Sequence, residues 1–138
     1  MKAIFLSNRP DKVFVVYDKS VVSKLEDLTN IEKRVYTKVD VLDNPELFSG
    51  VEMIFSTWGM PEFLESEIKS YFPKLKCVFY AAGSVRHFAL PFLKCGVKVF
   101  SAWAANAVPV AEMTVAQIIL ANKGYFLNVK GHLSSEVI

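Results

Sequence analysis

Cys77-Val78-Phe79-Tyr80-Ala81-Ala82-Gly83-Ser84 is the stretch from which the architecture of this chain is read. Valine, phenylalanine and tyrosine suit a pleated, half-buried backbone, so Cys77–Tyr80 predicts a strand. The four residues that follow carry almost no side-chain bulk. Val85–Lys94 then predicts a helix, stopped by the cap signal of Gly96, and Val97–Ser101 predicts a second strand. Strand, small turn, helix and strand in succession make a βαβ unit. Working outward, three more β-rich runs recur at Ala3–Leu6, Lys33–Tyr36 and Met53–Ser56, separated by stretches long enough for crossover helices.

The stretches between fill in as helices. Val13-Phe14-Val15-Val16 favours a strand while Pro10-Asp11 favours a helix start, and Asp11–Tyr17 is read as a short helix. Ser20–Leu28 places Val21, Leu25 and Leu28 on one face behind a serine cap. Asn44–Phe48 reads as one helical turn with an Asn cap, closed by Gly50. Pro61–Tyr71 reads as a helix with Phe63, Leu64, Ile68 and Tyr71 inward, ended by Pro73. Right-handed crossovers then give an α/β, flavodoxin-like three-layer fold with a five-stranded parallel sheet over residues 1–105.

Residues 106–138 depart from that pattern. Asn106–Asn122 predicts a helix with Pro109 in its first turn, Glu112 complementing the dipole and Gly124 beyond its end. Only Glu112, Thr114 and Gln117 interrupt an otherwise apolar run from Val110 to Ala121. A helix on one face of a sheet shows a single apolar stripe, whereas this one demands cover on most sides. Its cover is expected to be a second subunit, most simply in a homodimer, or a domain this chain does not contain.

Composition excludes several classes. With 52% hydrophobic residues and eleven Phe among 138, the chain is folded and has a sizeable core. Sixteen Lys and Arg against fourteen Asp and Glu give +2, without a basic block, which argues against nucleic acid as a partner. Ala3–Leu6 is too short for a signal-peptide core, and Glu112 and Gln117 interrupt the most apolar stretch, so the expectation is a cytoplasmic protein with no membrane span. Cys77 and Cys95 lack metal-finger or CxxC spacing and are expected to be buried, reduced thiols. No G-x-G-x-x-G or P-loop is present, and the strand ends Ser7-Asn8 and Ser56-Thr57 lack the acids with which a phospho-receiver domain holds Mg²⁺.

In parallel sheets ligands bind beyond the carboxyl ends of the strands. Ser7-Asn8, Thr37, Thr57-Trp58-Gly59, Ala81–Ser84 and Ala102–Asn106 occupy those positions. The backbone N–H groups of Ala82, Gly83 and Ser84 can donate to a carboxylate, or the loop is simply a tight turn. His87 lies close enough to reach a ligand there, although without an acid partner at a telling spacing a half-exposed helix residue is the plainer reading. His132 has no constellation around it. Trp58 and Trp103 can wall a pocket or pack at a sheet edge.

Val78–Val85, Gly96-Val97-Lys98-Val99, and Asn106-Ala107-Val108-Pro109-Val110-Ala111-Glu112 with Thr114 resemble the N-terminal half of the D-isomer-specific 2-hydroxyacid dehydrogenase family. The resemblance follows the element order of the whole chain and is strongest from Cys77 to Gly124. It implies a flavodoxin-like substrate domain joined by a crossing helix to a dinucleotide-binding domain, with NAD or NADP as cofactor and a small 2-hydroxy or 2-keto acid as substrate. It further implies that the Ala82, Gly83 and Ser84 amides and Asn106 hold the substrate. Trp58 and Gly59 would shape its side-chain pocket, and Val110 and Thr114 would approach the nicotinamide. The family's G-x-D-x-I-D pattern is replaced here by Gly83-Ser84-Val85-Arg86-His87-Phe88, which loses both acids. The family's dinucleotide loop and its catalytic Arg, Glu and His belong to the second domain, so the resemblance implies a severed half without activity of its own. The competing expectation is a free-standing flavodoxin-like binding or dimerisation module. An electron-transfer flavodoxin is disfavoured because Ser7-Asn8-Arg9-Pro10-Asp11 does not resemble a phosphate-cradling loop.

Overall fold

The computed structural model describes residues 1–135, with side chains through Gly131. It divides into two compact units, Met1–Trp103 and Ala104–Ile138. His132, singled out in the sequence, lies outside the described side chains.

The first unit is a five-stranded, all-parallel sheet in the order β2-β1-β3-β4-β5, formed by β1 (Lys2–Leu6), β2 (Asn30–Tyr36), β3 (Met53–Ser56), β4 (Cys77–Tyr80) and β5 (Lys98–Ser101). This is the flavodoxin-like arrangement the alternating pattern predicts. Strand centrality follows composition: Ala3–Leu6 and all of β3 are buried, as strands covered on both faces must be, while edge strand β5 alternates exposed and half-buried residues.

One face carries α1 (Pro10–Val16) and α2 (Lys19–Leu28); Val13, Val22 and Tyr17, the residue that closes α1, pack with Phe5, Phe55 and Ile31. The proline start therefore prevails over the β-branched run in α1. The α2 cap is Asp18 rather than a serine: its carboxylate accepts from the N–H groups of Ser20 and Val21 at 2.8 and 2.9 Å. Val22 is buried and Leu25 half-buried, whereas Val21 stands at the rim of the contact, 37% exposed, and Leu28 points outward. The expected Val21-Leu25-Leu28 stripe is thus displaced, because the sheet meets the helix along the neighbouring i, i+3 pair.

The opposite face carries α3 (Lys38–Asp43), a 3₁₀ turn (Pro45–Phe48), α4 (Glu65–Tyr71) and α5 (Ala89–Lys94) around Val41, Phe48, Ile68, Phe88 and Phe92. Helix α3 was not expected from the sequence. A capping box starts it, in which Thr37 Oγ1 accepts from the Asp40 N–H and the Asp40 carboxylate accepts from the Thr37 N–H. The 3₁₀ turn lacks the expected Asn44 side-chain cap. Helix α4 begins at Glu65, not Pro61, with the Glu67 carboxylate accepting from the Leu64 N–H at 2.7 Å. Phe63 is buried from the preceding loop and Leu64 is exposed, contrary to the expected inward face. Cys77 and Cys95 are free thiols but half-buried rather than buried.

The second unit contains α6 (Trp103–Asn122) and α7 (Tyr125–Ser135). Helix α6 starts earlier than expected, which puts Pro109 in its interior, where no N–H is available for the Ala105 carbonyl. Gly124, at φ +68°, ends it, and α7 follows where only a connector was expected. No residue of α6 is buried. With 20 residues and a mean hydropathy of 1.4, α6 is long and apolar enough to cross a membrane despite Glu112 and Gln117.

Candidate functional site at the carboxyl edge of the sheet

The strand order changes direction between β1 and β3, and the loops that follow these strands are tied together there. Ser7 Oγ donates to the Trp58 carbonyl at 2.8 Å, and the Asn8 N–H donates to the Gly59 carbonyl at 2.8 Å. Asn8 Oδ1 in turn accepts from the Lys38 N–H at 2.9 Å. Gly59 sits at φ +89°, and a Cβ on it would lie 2.9 Å from Ser7 Oγ and from Arg9 Cγ. This crevice is therefore closed by its own backbone, with Gly59 holding the closure and the half-exposed Trp58 indole outside it.

The Ala82–Ser84 loop next to it is built differently. Ser101 Oγ, from the end of neighbouring strand β5, lies 3.1 Å from the Ala82 carbonyl and 2.6 Å from the Gly83 carbonyl. In a trans peptide the N–H points opposite to the carbonyl, and no peptide bond in the chain is cis. Drawing these two carbonyls towards Ser101 turns the N–H groups of Gly83 and Ser84 away from it. Neither N–H, nor that of Ala82, donates to a protein acceptor among the described residues. The floor is firm: Ala82 is buried, and the Thr57 hydroxyl reaches the Ala81 carbonyl at 3.4 Å. One expectation is corrected, since α5 begins only at Ala89 and a turn over 85–88 intervenes, so its dipole does not reach the loop.

Cationic side chains stand around this edge. Arg86 is exposed, and its N–H approaches Ser84 Oγ at 3.5 Å. Lys38 donates to the Glu62 carbonyl at 2.6 Å, pairs with Glu67 at 3.6 Å and lies over the Phe63 ring at 4.9 Å. Lys38, Glu67, His87 and Phe88 line one cavity of about 270 Å³. His87 is thus an exposed turn residue, not a helical one, and has carboxylates across the cavity that its sequence spacing did not reveal. Burial raises the pKa of the nearby Tyr80 hydroxyl, which stays protonated at neutral pH. Among the described residues, no group of His, Cys, Asp and Glu is placed to hold a metal ion.

Asn106, Val110 and Thr114 all fall in the second unit, one turn apart along α6. Thr114 Oγ1 donates to the Val110 carbonyl at 2.7 Å, so its hydroxyl proton is engaged within the helix. Ser101 and Arg86 are the participants the sequence reading passed over. Ser101 sits at a strand end, a position that marks it for inspection, but its partners lie on another strand. No protein-family model matches the chain, and no curated protein matches it.

Proposed function

We propose that the Ala82–Ser84 loop binds the carboxylate of a small 2-hydroxy or 2-keto acid. The chain is then the substrate-binding half of an NAD(P)-dependent oxidoreductase acting on the CH–OH group of a D-2-hydroxy acid. The observation that carries this reading is the pair of N–H groups, Gly83 and Ser84, turned outward by Ser101 and without an acceptor among the described residues. Hydrogen bonds to a charged group contribute about 1.5–3 kcal/mol each, and Arg86 adds a screened attraction, so affinity for a small carboxylate is on the order of millimolar.

None of the six glycines forms a phosphate-binding loop, so this chain offers the dinucleotide at most the Val110 and Thr114 side chains beside the nicotinamide. NAD or NADP would be held by another domain or polypeptide, and this chain supplies position only, through the loop and Asn106. Free Cys77 and Cys95 accord with work in the cytoplasm.

Amide-resolved NMR of the 138-residue chain tests the reading, with glyoxylate, pyruvate or D-lactate as titrant. Gly83 and Ser84 should shift first, saturably at tens of millimolar, and Ser101→Ala should weaken the response. Shifts confined to other residues, or equal shifts with chloride, would overturn the assignment. The exposed apolar surface of α6 favours a second reading, a flavodoxin-like binding or dimerisation module without catalysis, which predicts self-association and a silent loop.

A further inference from the structure

The edge strand β2 does not run flat beside β1. Ala3 pairs with Ile31 and Phe5 with Val35, so β1 advances two residues while β2 advances four. The surplus falls on Glu32-Lys33-Arg34, which bulge out of the ladder and are exposed between buried Ile31 and half-buried Val35. A second break lies across from this one. Helix α1 ends at Val16, Asp18 caps α2, and the two helices meet at Tyr17. Between the helix break and the strand bulge lies a groove of about 410 Å³, lined by Phe14, Tyr17, Lys19, Val22 and Lys33. All five belong to the Met1–Trp103 unit, so its walls and floor are set within that unit alone.

Floor and rim differ in chemistry. Val22 and Tyr17 are buried, and the Tyr17 hydroxyl donates to the Ser56 carbonyl at 2.9 Å, which leaves the ring for the groove. Phe14 and Tyr17 each stand edge-to-face with Phe5, at centroid distances of 5.5 and 5.4 Å, so a packed aromatic cluster holds both rings in place. Phe14 is nevertheless 44% exposed. The rim is cationic: the lining carries two lysines and no acid. Lys33 is steadied by Glu26 of α2 at 3.1 Å, and an ammonium with three donors keeps others free beside that pair. Lys19 has no acidic partner among the described residues. The carboxylate next to it in sequence, Asp18, faces the start of α2 instead, where it accepts from the Ser20 and Val21 N–H groups.

Small-ligand sites are concave, mostly apolar and fixed by a few polar groups, and span about 300–1,000 Å³. A groove at the low end of that range suits a molecule of one or two rings rather than a peptide. Two ammonium groups above aromatic rings select an anion with a flat apolar body, because the charge gains from the lysines and the ring from edge or face contact with Phe14.

We propose that the α1–α2 groove binds a small aromatic monocarboxylate, its ring against Phe14, Tyr17 and Val22 and its carboxylate between Lys19 and Lys33. None of these residues is shared with the Ala82–Ser84 loop, so the groove is a second small-molecule site and does not depend on the first.

Amide-resolved NMR of the full chain titrated with 3-phenylpropionate decides it. The Lys19, Val22 and Lys33 amides should shift saturably, with a Kd on the order of a millimolar. The neutral 3-phenylpropanamide should bind about tenfold more weakly, and Lys19→Gln and Lys33→Gln should each weaken the acid by several-fold. Lys19 is exposed at the first position of α2, so its variant leaves the core untouched. Octanoate, with the same charge and no ring, should bind more weakly than the aryl acid. Equal binding of acid and amide, tighter binding of octanoate, or no saturable shift at these residues would overturn the proposal. So would shifts confined to Gly83 and Ser84, which place the acid in the loop and support the loop reading alone.

Discussion

Gly59 illustrates what a single residue decides. Its φ of +89° and the 2.9 Å approach of its would-be Cβ to Ser7 Oγ and Arg9 Cγ leave no room for a side chain. Gly59→Ala should cost about 2 kcal/mol of stability in urea unfolding. Thr37→Ala, which opens the α3 capping box, should cost about 1 kcal/mol. The Thr37 hydroxyl and N–H hold the Asp40 carboxyl below its ordinary pKa, and the Val21 N–H with the Ser20 hydroxyl does the same for Asp18. A depressed carboxylate contributes stability that is full above its unfolded pKa of about 3.9 and is lost as pH falls through the folded value. Acid should therefore destabilise the protein below about pH 4, and Asp40→Asn should flatten that limb in a pH series of thermal melts. The Thr37-x-x-Asp40 spacing was visible in the sequence and passed over. Asp18 as the α2 cap was less visible, since Ser20 and Asp18 both qualify until the first turn is placed.

At the scale of elements, strand runs read more truly than helix starts. The bounds of β3 and β4 match their expected runs, because a short apolar run between breakers has few alternatives. Helices α4 and α5 begin later than their first helix-compatible residue, since buried Phe63 and Phe88 anchor the loops ahead of them. Helix α6 extends upstream past Asn106 and takes Pro109 into its interior. An interior proline costs a helix about 3 kcal/mol, so Pro109→Ala should slow amide exchange along α6; unchanged exchange would mean the helix is already limited by other contacts. The apolar character of α6 was legible from composition, but its length was not, because Trp103, Ala104 and Ala105 carry no strong stop or start signal.

For the whole molecule, both hydrophobic clusters and the partly buried side chains packed on them come from residues up to Val99. A fragment of residues 1–103 should therefore still unfold cooperatively, with a single calorimetric transition. A fragment that melts without a transition would show that α6 or α7 contributes to the core. On the substrate-half reading, the 138-residue chain alone should oxidise NADH with glyoxylate or pyruvate no faster than buffer. Robust turnover would overturn the substrate-half reading.

The amino-acid sequence by itself determined the class of this fold. The alternation of short apolar runs with amphipathic stretches admits little besides a parallel α/β sheet, and an all-round apolar α6 announces a surface in want of cover. Only the tertiary structure decided the strand order and brought Ser101 under the Ala82 and Gly83 carbonyls, 19 and 18 residues away. It alone also lined Phe55, Phe79 and Phe100 into one stacked row across three strands. The physical reason is one of range. Periodicity and capping act within a few residues, whereas a carbonyl drawn by a distant hydroxyl or a row of rings across strands depends on which strands lie side by side, and no local signal encodes that.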